Sequence, residues 1–210
     1  MTVFGSNLTT NGKYILALFD VKLNSLVSVK LVESEDSRTI YHFLNKSLRN
    51  QKKISIGTDL KHEYGEAIDR LKVKHHFCKF HVKQAINKRF KDYFNKNQFN
   101  EEEFNKFIDL KQHIFKILDP KNLDDAKILR NQLFTKKYPK NKFTIKIVDK
   151  FTIPYFKKLT THLENKNIPS TNNKTENIFQ NVFPKHIKRT MKIELGLFMS
   201  IYAKIKSLEY

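Results

Sequence analysis

Two apolar runs of strand length stand close together near the start of the chain. Residues 13–19 (KYILALF) are almost continuously apolar, and residues 25–32 (SLVSVKLV) are rich in Val and Leu. The polar connection over residues 20–24 has the length of a hairpin loop. The pattern therefore predicts two antiparallel strands that pair with each other.

Helical and strand periodicities then alternate. Apolar positions recur at helical spacing over residues 36–48, with Asp36 or Ser37 as the cap, and residues 54–58 (ISIGT) form a short apolar strand pattern. A second helix pattern covers residues 62–71, and a short strand pattern covers residues 73–77. The order β-β-α-β-α-β predicts an α/β fold with a mixed sheet and helices on its faces.

Beyond residue 81 the periodicity becomes helical for about 80 residues. Pro120 and Pro154 interrupt this stretch and predict breaks between helices. We therefore divide the chain into residues 1–81, a β-rich first part; residues 82–168, an all-α insertion; and residues 169–210, C-terminal helices that complete the first part.

Charge narrows the class of partner. The 210 residues carry 40 Lys and Arg against 21 Asp and Glu, a formal net charge of +19. Such an excess favours polyanions, and nucleic acid is the commonest of these. No apolar run approaches the roughly 20 residues of a membrane span. The single cysteine excludes an internal disulfide, and no signal peptide opens the chain, so we expect a cytoplasmic protein.

Two carboxylates, Asp59 and Glu176, stand at positions that a catalytic or metal-binding acid could occupy. Asp59 ends the strand pattern of residues 54–58, where it could hold a divalent cation or cap the helix that follows. Glu176 follows the polar turn of residues 170–173 and falls in the first turn of a predicted helix. The alternative for Glu176 is a capping box with Asn173 as the cap.

Cys78 and His81 form a Cys-x-x-His pair just after the strand pattern of residues 73–77. The pair could belong to a zinc site, although structural zinc generally needs four ligands. A nucleophilic Cys78 with His75, His76 or His81 as base is a second alternative. The commonest outcome is structural: Cys78 packs as a small apolar residue and His81 makes a hydrogen bond.

These segments together resemble a known family. Asp59 stands between Thr58 and Leu60, the Cys78–His81 pair follows the next strand, a helical insertion comes after it, and residues 171–173 (TNN) precede Glu176. This order is similar to the catalytic domain of Mutator-like DNA transposases. Members share a ribonuclease H-like fold with retroviral integrases and carry an Asp-Asp-Glu triad.

The resemblance implies a site and a reaction. Asp59 matches the second acid of the triad and Glu176 the third, beyond the insertion. Such acids hold Mg²⁺ or Mn²⁺, as two ions about 4 Å apart, for cleavage of a phosphodiester and transfer of the strand. The implied partner is DNA, and the expected assembly is a homo-oligomer on paired DNA ends.

The first acid departs from the family pattern. Similar transposases carry it a few residues before a Gly-Lys-Tyr sequence, whereas residues 1–10 (MTVFGSNLTT), just before Asn11-Gly-Lys-Tyr, contain no acid. Either Asp20 is the first metal ligand, or the chain has lost its first strand together with its first acid. The second interpretation is favoured, and it describes an N-terminally truncated, inactive remnant.

A non-catalytic DNA-binding protein derived from a transposase is the rival function. The densest basic cluster, residues 184–192 (PKHIKRTMK), follows Glu176 closely along the chain. Its cations could contact phosphates or form a solvated helix face. They are Lys185, Lys188, Arg189 and Lys192.

Overall fold

The structure is a computed structural model that describes most of the chain up to residue 171. The described residues are 2–7, 14–23, 25–50, 55–136, 138–152, 154–171, 177, 196, 199–200 and 202–204, with the backbone alone for 2–7 and 150–152. The chain divides into two compact units. The first contains Met1–His75 with Thr171–Tyr210, and the second contains His76–Ser170.

The described strands form one five-stranded mixed sheet in the order β3-β2-β1-β4-β5. β1 pairs antiparallel with β2 and parallel with β4, and β2 pairs antiparallel with β3. The predicted hairpin, the later strands and the α/β class are therefore present. The strands are β1 (Thr2–Asn7), β2 (Tyr14–Asp20), β3 (Ser25–Val32), β4 (Ser55–Thr58) and β5 (Lys74–Phe77).

β1 corrects one interpretation of the sequence. The expectation that the chain has lost its first strand is wrong, because β1 lies at the centre of the sheet and pairs with β2 from Thr2↔Phe19 to Asn7↔Tyr14. Its sequence, TVFGSN, lacks the long apolar run that would predict a buried strand. Its neighbours β2 and β4 supply its hydrogen-bond partners. It nevertheless contains no carboxylate.

Two helices cover one face of this sheet. α1 (Ser37–Ser47) starts where the sequence predicts, with the Asp36 carboxylate accepting the Thr39 N–H at 2.8 Å. α2 (His62–Arg70) follows β4. The core between these elements is apolar, and it contains Leu16, Leu18, Val32, Ile40, Phe43, Leu44, Leu48, Ile56, Tyr64, Ala67 and Ile68.

β2 is buried on both of its faces. Ile15, Ala17 and Phe19 are as inaccessible as Leu16 and Leu18, which point the other way. A strand that is covered on both sides has a continuous run of apolar residues in its sequence, and residues 13–19 show this pattern.

The second unit is helical between residues 79 and 164. Pro120 lies between two helices, and Pro154 lies in the turn before the last of them, as the proline positions predict. No described helix has both the length and the apolar character needed to cross a membrane. The helices are α3 (Lys79–Phe94), α4 (Glu101–Leu118), α5 (Leu123–Thr135), α6 (Lys142–Thr152) and α7 (Phe156–Glu164).

Candidate active-site edge of the sheet

Asp59 lies at the carboxyl end of β4, beside the middle of β1. Thr2 of β1 pairs in parallel with Gly57 of β4. Phe4 and Asp59 each lie two residues beyond that pair, so an ideal parallel register continued past it sets Phe4 opposite Asp59. Phe4 is therefore the β1 position at which we would look for a second carboxylate.

The Asp59 carboxylate is half-buried, and one of its oxygens is engaged. Its Oδ1 accepts the backbone N–H of Lys61 at 3.0 Å, and no described residue donates to Oδ2. Helix α2 begins at His62 with Lys61 as its cap residue, so Asp59 fixes the turn before the helix and does not cap the helix itself. Within the described residues, Oδ2 of Asp59 is thus left without a hydrogen-bond donor.

Thr58 and His75 hold the strand ends beneath Asp59. The Thr58 side chain is fully buried, and its Oγ1 donates to the Asp59 carbonyl at 2.8 Å. The same Oγ1 lies 2.7 Å from Nε2 of His75, which then acts as the donor because the hydroxyl proton is already used. This chain of hydrogen bonds connects β4 to β5 and limits movement of the Asp59 backbone.

An ion pair with one buried partner connects the loop after β3 to Lys61, two residues beyond Asp59. Glu35, in the loop after β3, has a side chain only 7% exposed, and it pairs with the Lys61 ammonium. It also accepts a hydrogen bond from the Tyr64 hydroxyl at 2.5 Å. Burial, and then the negative charge of Glu35, raises the pKa of Tyr64 far above its usual value, so this phenol remains a donor. We call Glu35, Lys61 and Tyr64 the crevice cluster.

The crevice cluster is not evident from the sequence. Glu35 belongs to a polar loop, whereas Lys61 and Tyr64 are 26 and 29 residues further on. No periodicity connects positions so far apart. The signals available were the acidic loop after a strand and a tyrosine on the apolar face of a predicted helix.

Asp20 ends β2 just beyond the Thr2↔Phe19 pair, beside the start of β1, and β1 separates its strand from β4 and Asp59. Its Oδ1 accepts the N–H groups of Lys22 at 2.9 Å and Leu23 at 3.1 Å. The carboxylate thereby closes the β2–β3 turn. The structure does not bring Asp20 together with Asp59.

The remaining predicted site residues lie outside the described part of the chain. These are Glu176 and the basic residues Lys185, Lys188, Arg189 and Lys192. Asn177, next to Glu176, is helical and exposed. Among the described residues, no three His, Cys, Asp or Glu side chains lie close enough to hold a metal ion. Of the three acids named from the sequence, the structure describes Asp20 and Asp59, and β1 contains no carboxylate.

Cys78 and His81 lie near the start of the second unit. Cys78 is fully buried at the cap position of α3, and its thiol makes no capping hydrogen bond. Because a nucleophile must reach its substrate, this burial argues against a catalytic cysteine and favours packing. His81 is half-buried with its ring edge-on to Phe80. Burial lowers the pKa of the neighbouring His76 from 6.5 to about 3.

These features define a mixed α/β protein whose central strands present one carboxylate at a polar edge, with a helical unit inserted in the chain. A protein of Methanobrevibacter smithii, the "Insertion element ISM1 uncharacterized 48.3 kDa protein", is 29% identical over 185 residues. The match covers 88% of this chain and 46% of that protein, so the chain spans about half the length of this relative. No profile of a known protein family matches the chain.

Proposed function

We propose that the chain is part of a transposase-related protein of a mobile element and acts on DNA. The observation that carries this proposal is the position of Asp59, after β4 and beside the central strand β1. Similarity to an insertion element protein supports it. The net charge of +19 suits a DNA partner.

We further propose a ribonuclease H-like catalytic domain of the Mutator-like type. An antiparallel β1-β2-β3 arrangement followed by strands connected through helices supports this fold. In it, Asp59 and Glu176 together hold Mg²⁺ or Mn²⁺, since carboxylate oxygens are the preferred ligands of hard cations. The bound cation would polarise the phosphodiester for cleavage and strand transfer. A homo-oligomer on paired DNA ends is part of the same proposal.

The chain's own residues orient Asp59 for this role. Thr58 fixes the Asp59 carbonyl and the Lys61 N–H fixes Oδ1, so Oδ2 is the oxygen that we assign to the cation. Lys61 is the cation nearest to Asp59 in the sequence, but its ammonium pairs with Glu35. It therefore does not neutralise the negative charge of Asp59.

A second candidate is a DNA-binding protein without catalytic activity. The observation that favours it is the sequence of β1, TVFGSN, which contains no carboxylate and has Phe4 where a continued register faces Asp59. Without an acid there, two ions have one ligand fewer than the Asp-Asp-Glu arrangement supplies. Binding would then rest on the basic residues, including the predicted cluster of Lys185, Lys188, Arg189 and Lys192.

Cleavage of nicked plasmid in Mg²⁺ or Mn²⁺ distinguishes the two candidates. We expect Asp59→Asn to abolish cleavage and Asp20→Asn, a matched carboxylate removal at the hairpin turn, to preserve it. Full activity of Asp59→Asn would reject the assigned role of Asp59. Salt-sensitive DNA binding without any cleavage by the unaltered protein would select the second candidate.

Adding an acid to β1 tests the register directly. Phe4→Asp should increase stabilisation by Mn²⁺, because it places a carboxylate beside Asp59, whereas Val3→Asp lies one step away and on the other face of the strand. At Mn²⁺ tenfold above the dissociation constant, we expect about 1.4 kcal/mol of added stability in thermal melts. Equal responses of the two variants would contradict the assigned register.

A further inference from the structure

An aromatic cluster joins three helices of the second unit. Tyr93 of α3 and Phe143 of α6 are stacked, with ring centroids 3.9 Å apart and planes 3° apart. Phe107 of α4 contacts both rings edge-on, at 5.3 and 6.1 Å. The other members are Phe90, Phe94, Phe99 and Phe104.

The stacked pair opens into a pocket between α3 and α6. This pocket has a volume of about 380 Å³, and both Tyr93 and Phe143, which are half-buried, form part of its wall. Ile147 adds an apolar floor. The rim carries three cations and one carboxylate, namely Arg89, Lys96, Lys146 and Asp92.

The composition of the pocket defines its ligand. Half-buried aromatic rings offer a surface for stacking, and Lys96 and Lys146 are exposed without a described carboxylate partner. A nucleobase attached to a phosphate satisfies both features, since bases stack on aromatic side chains and phosphates pair with cations. The volume lies in the lower part of the range of small-ligand pockets, roughly 300–1,000 Å³.

We propose that this pocket, the nucleotide pocket, binds one unpaired nucleotide of a DNA strand. Each of the two stacked rings covers one face of the other, so the base packs against the parts of Tyr93 and Phe143 that line the pocket. The adjoining phosphates lie near Arg89, Lys96 and Lys146. A paired base cannot enter, because its faces are covered by its neighbours in the duplex. The proposal rests on the DNA partner of the proposed function and is independent of cleavage.

Charge reversal tests the cation rim. The variant Lys96→Glu with Lys146→Glu should weaken binding of a fluorescein-labelled single-stranded oligonucleotide about tenfold or more in fluorescence anisotropy. The control, Lys88→Glu with Lys91→Glu, makes the same change in charge at exposed positions of α3 outside the pocket. We expect a loss of at most about threefold for the control. Equal losses would show diffuse attraction and overturn the proposal.

Stacking is tested with 2-aminopurine, whose fluorescence falls when it stacks. Tyr93→Phe should preserve quenching of this base in a single strand, and Tyr93→Leu should remove most of it, provided both variants melt as folded proteins. Unchanged quenching in Tyr93→Leu would overturn the proposal. If Tyr93→Leu fails to fold, the charge-reversal pair decides alone.

Two further conditions separate this proposal from the others. Both assays are run in EDTA and repeated on Asp59→Asn, so a failure of metal-dependent cleavage leaves their outcome unaffected. Competition by a poly-glutamate peptide as strong as that by the oligonucleotide would overturn the nucleotide assignment and indicate an acidic protein partner.

Discussion

The crevice cluster and the nucleotide pocket use similar side chains in opposite ways. In the crevice cluster, the cation and the phenol of Lys61 and Tyr64 both bind Glu35, which is nearly inaccessible. In the nucleotide pocket, Lys96 and Lys146 are exposed and no described carboxylate pairs with them. Polar groups of the first region thus stabilise the fold, and those of the second are available to a ligand.

The difference leads to a testable rule. Removing one partner of a buried pair leaves the other without compensation, which costs stability. Removing an exposed lysine leaves nothing unpaired, so stability hardly changes while binding of a polyanion weakens. We expect substitutions in the crevice cluster to lower stability and those in the pocket to lower affinity.

The largest effect on stability is expected for Glu35→Ala. It leaves the buried Tyr64 hydroxyl without its acceptor and should cost about 2–3 kcal/mol in urea unfolding, a value reduced by the partial exposure of Lys61. Glu66→Ala, the same change at an exposed position of α2, is the control and should lie within about 0.5 kcal/mol of the unaltered protein. A similar loss of stability in both variants would show that the buried Glu35 contributes no more to stability than an exposed glutamate.

His76 adds a third case, a buried ionisable group with no described hydrogen-bond partner. Burial lowers its pKa to about 3 in the folded protein, so below pH 6.5 the unfolded chain takes up the proton first. The part of the stability that depends on His76 should be present above pH 6.5 and fall by about 2 kcal/mol at pH 5. His76→Leu should flatten this dependence in thermal melts, whereas His42→Gln, at an exposed site, should not.

A smaller loss is expected for Tyr64→Phe. This change removes one hydrogen-bond donor from Glu35 but keeps the ring in the core, and it should cost about 1–1.5 kcal/mol in urea unfolding. Tyr41→Phe is the control, because the half-buried Tyr41 keeps its contact with Arg70 through the ring alone. If Tyr64→Phe leaves the free energy of unfolding unchanged, the Tyr64 hydroxyl does not contribute to the stability of the crevice cluster.

The smallest effect is expected in the nucleotide pocket. Lys96→Ala and Lys146→Ala should each change the free energy of unfolding by less than about 0.5 kcal/mol. Their affinity for a single-stranded oligonucleotide should nevertheless fall. A loss of stability comparable to that of Glu35→Ala would place these lysines among the structural residues and break the contrast between the two regions.

Local patterns in the sequence determined most of the secondary structure. The apolar run of β2 reflects burial on both faces, Asp36 caps α1, and Pro154 separates α6 from α7. Each of these signals acts within a few residues, where the chain itself holds the interacting groups together. The position of Asp59 after a buried strand is a signal of the same kind, and its role as a metal ligand stays a prediction.

Contacts between distant segments decided the rest. β1 is a strand because β2 and β4 complete its hydrogen bonds, and its pairing of Thr2 with Gly57 fixes which β1 residues approach the end of β4. The antiparallel direction of β2 places Asp20 in a hairpin turn. The contacts of Glu35 with Lys61 and Tyr64, and the stacking of Tyr93 on Phe143, form only when the chain folds. Such pairings depend on which surfaces meet, and the order of residues along one segment does not encode that information.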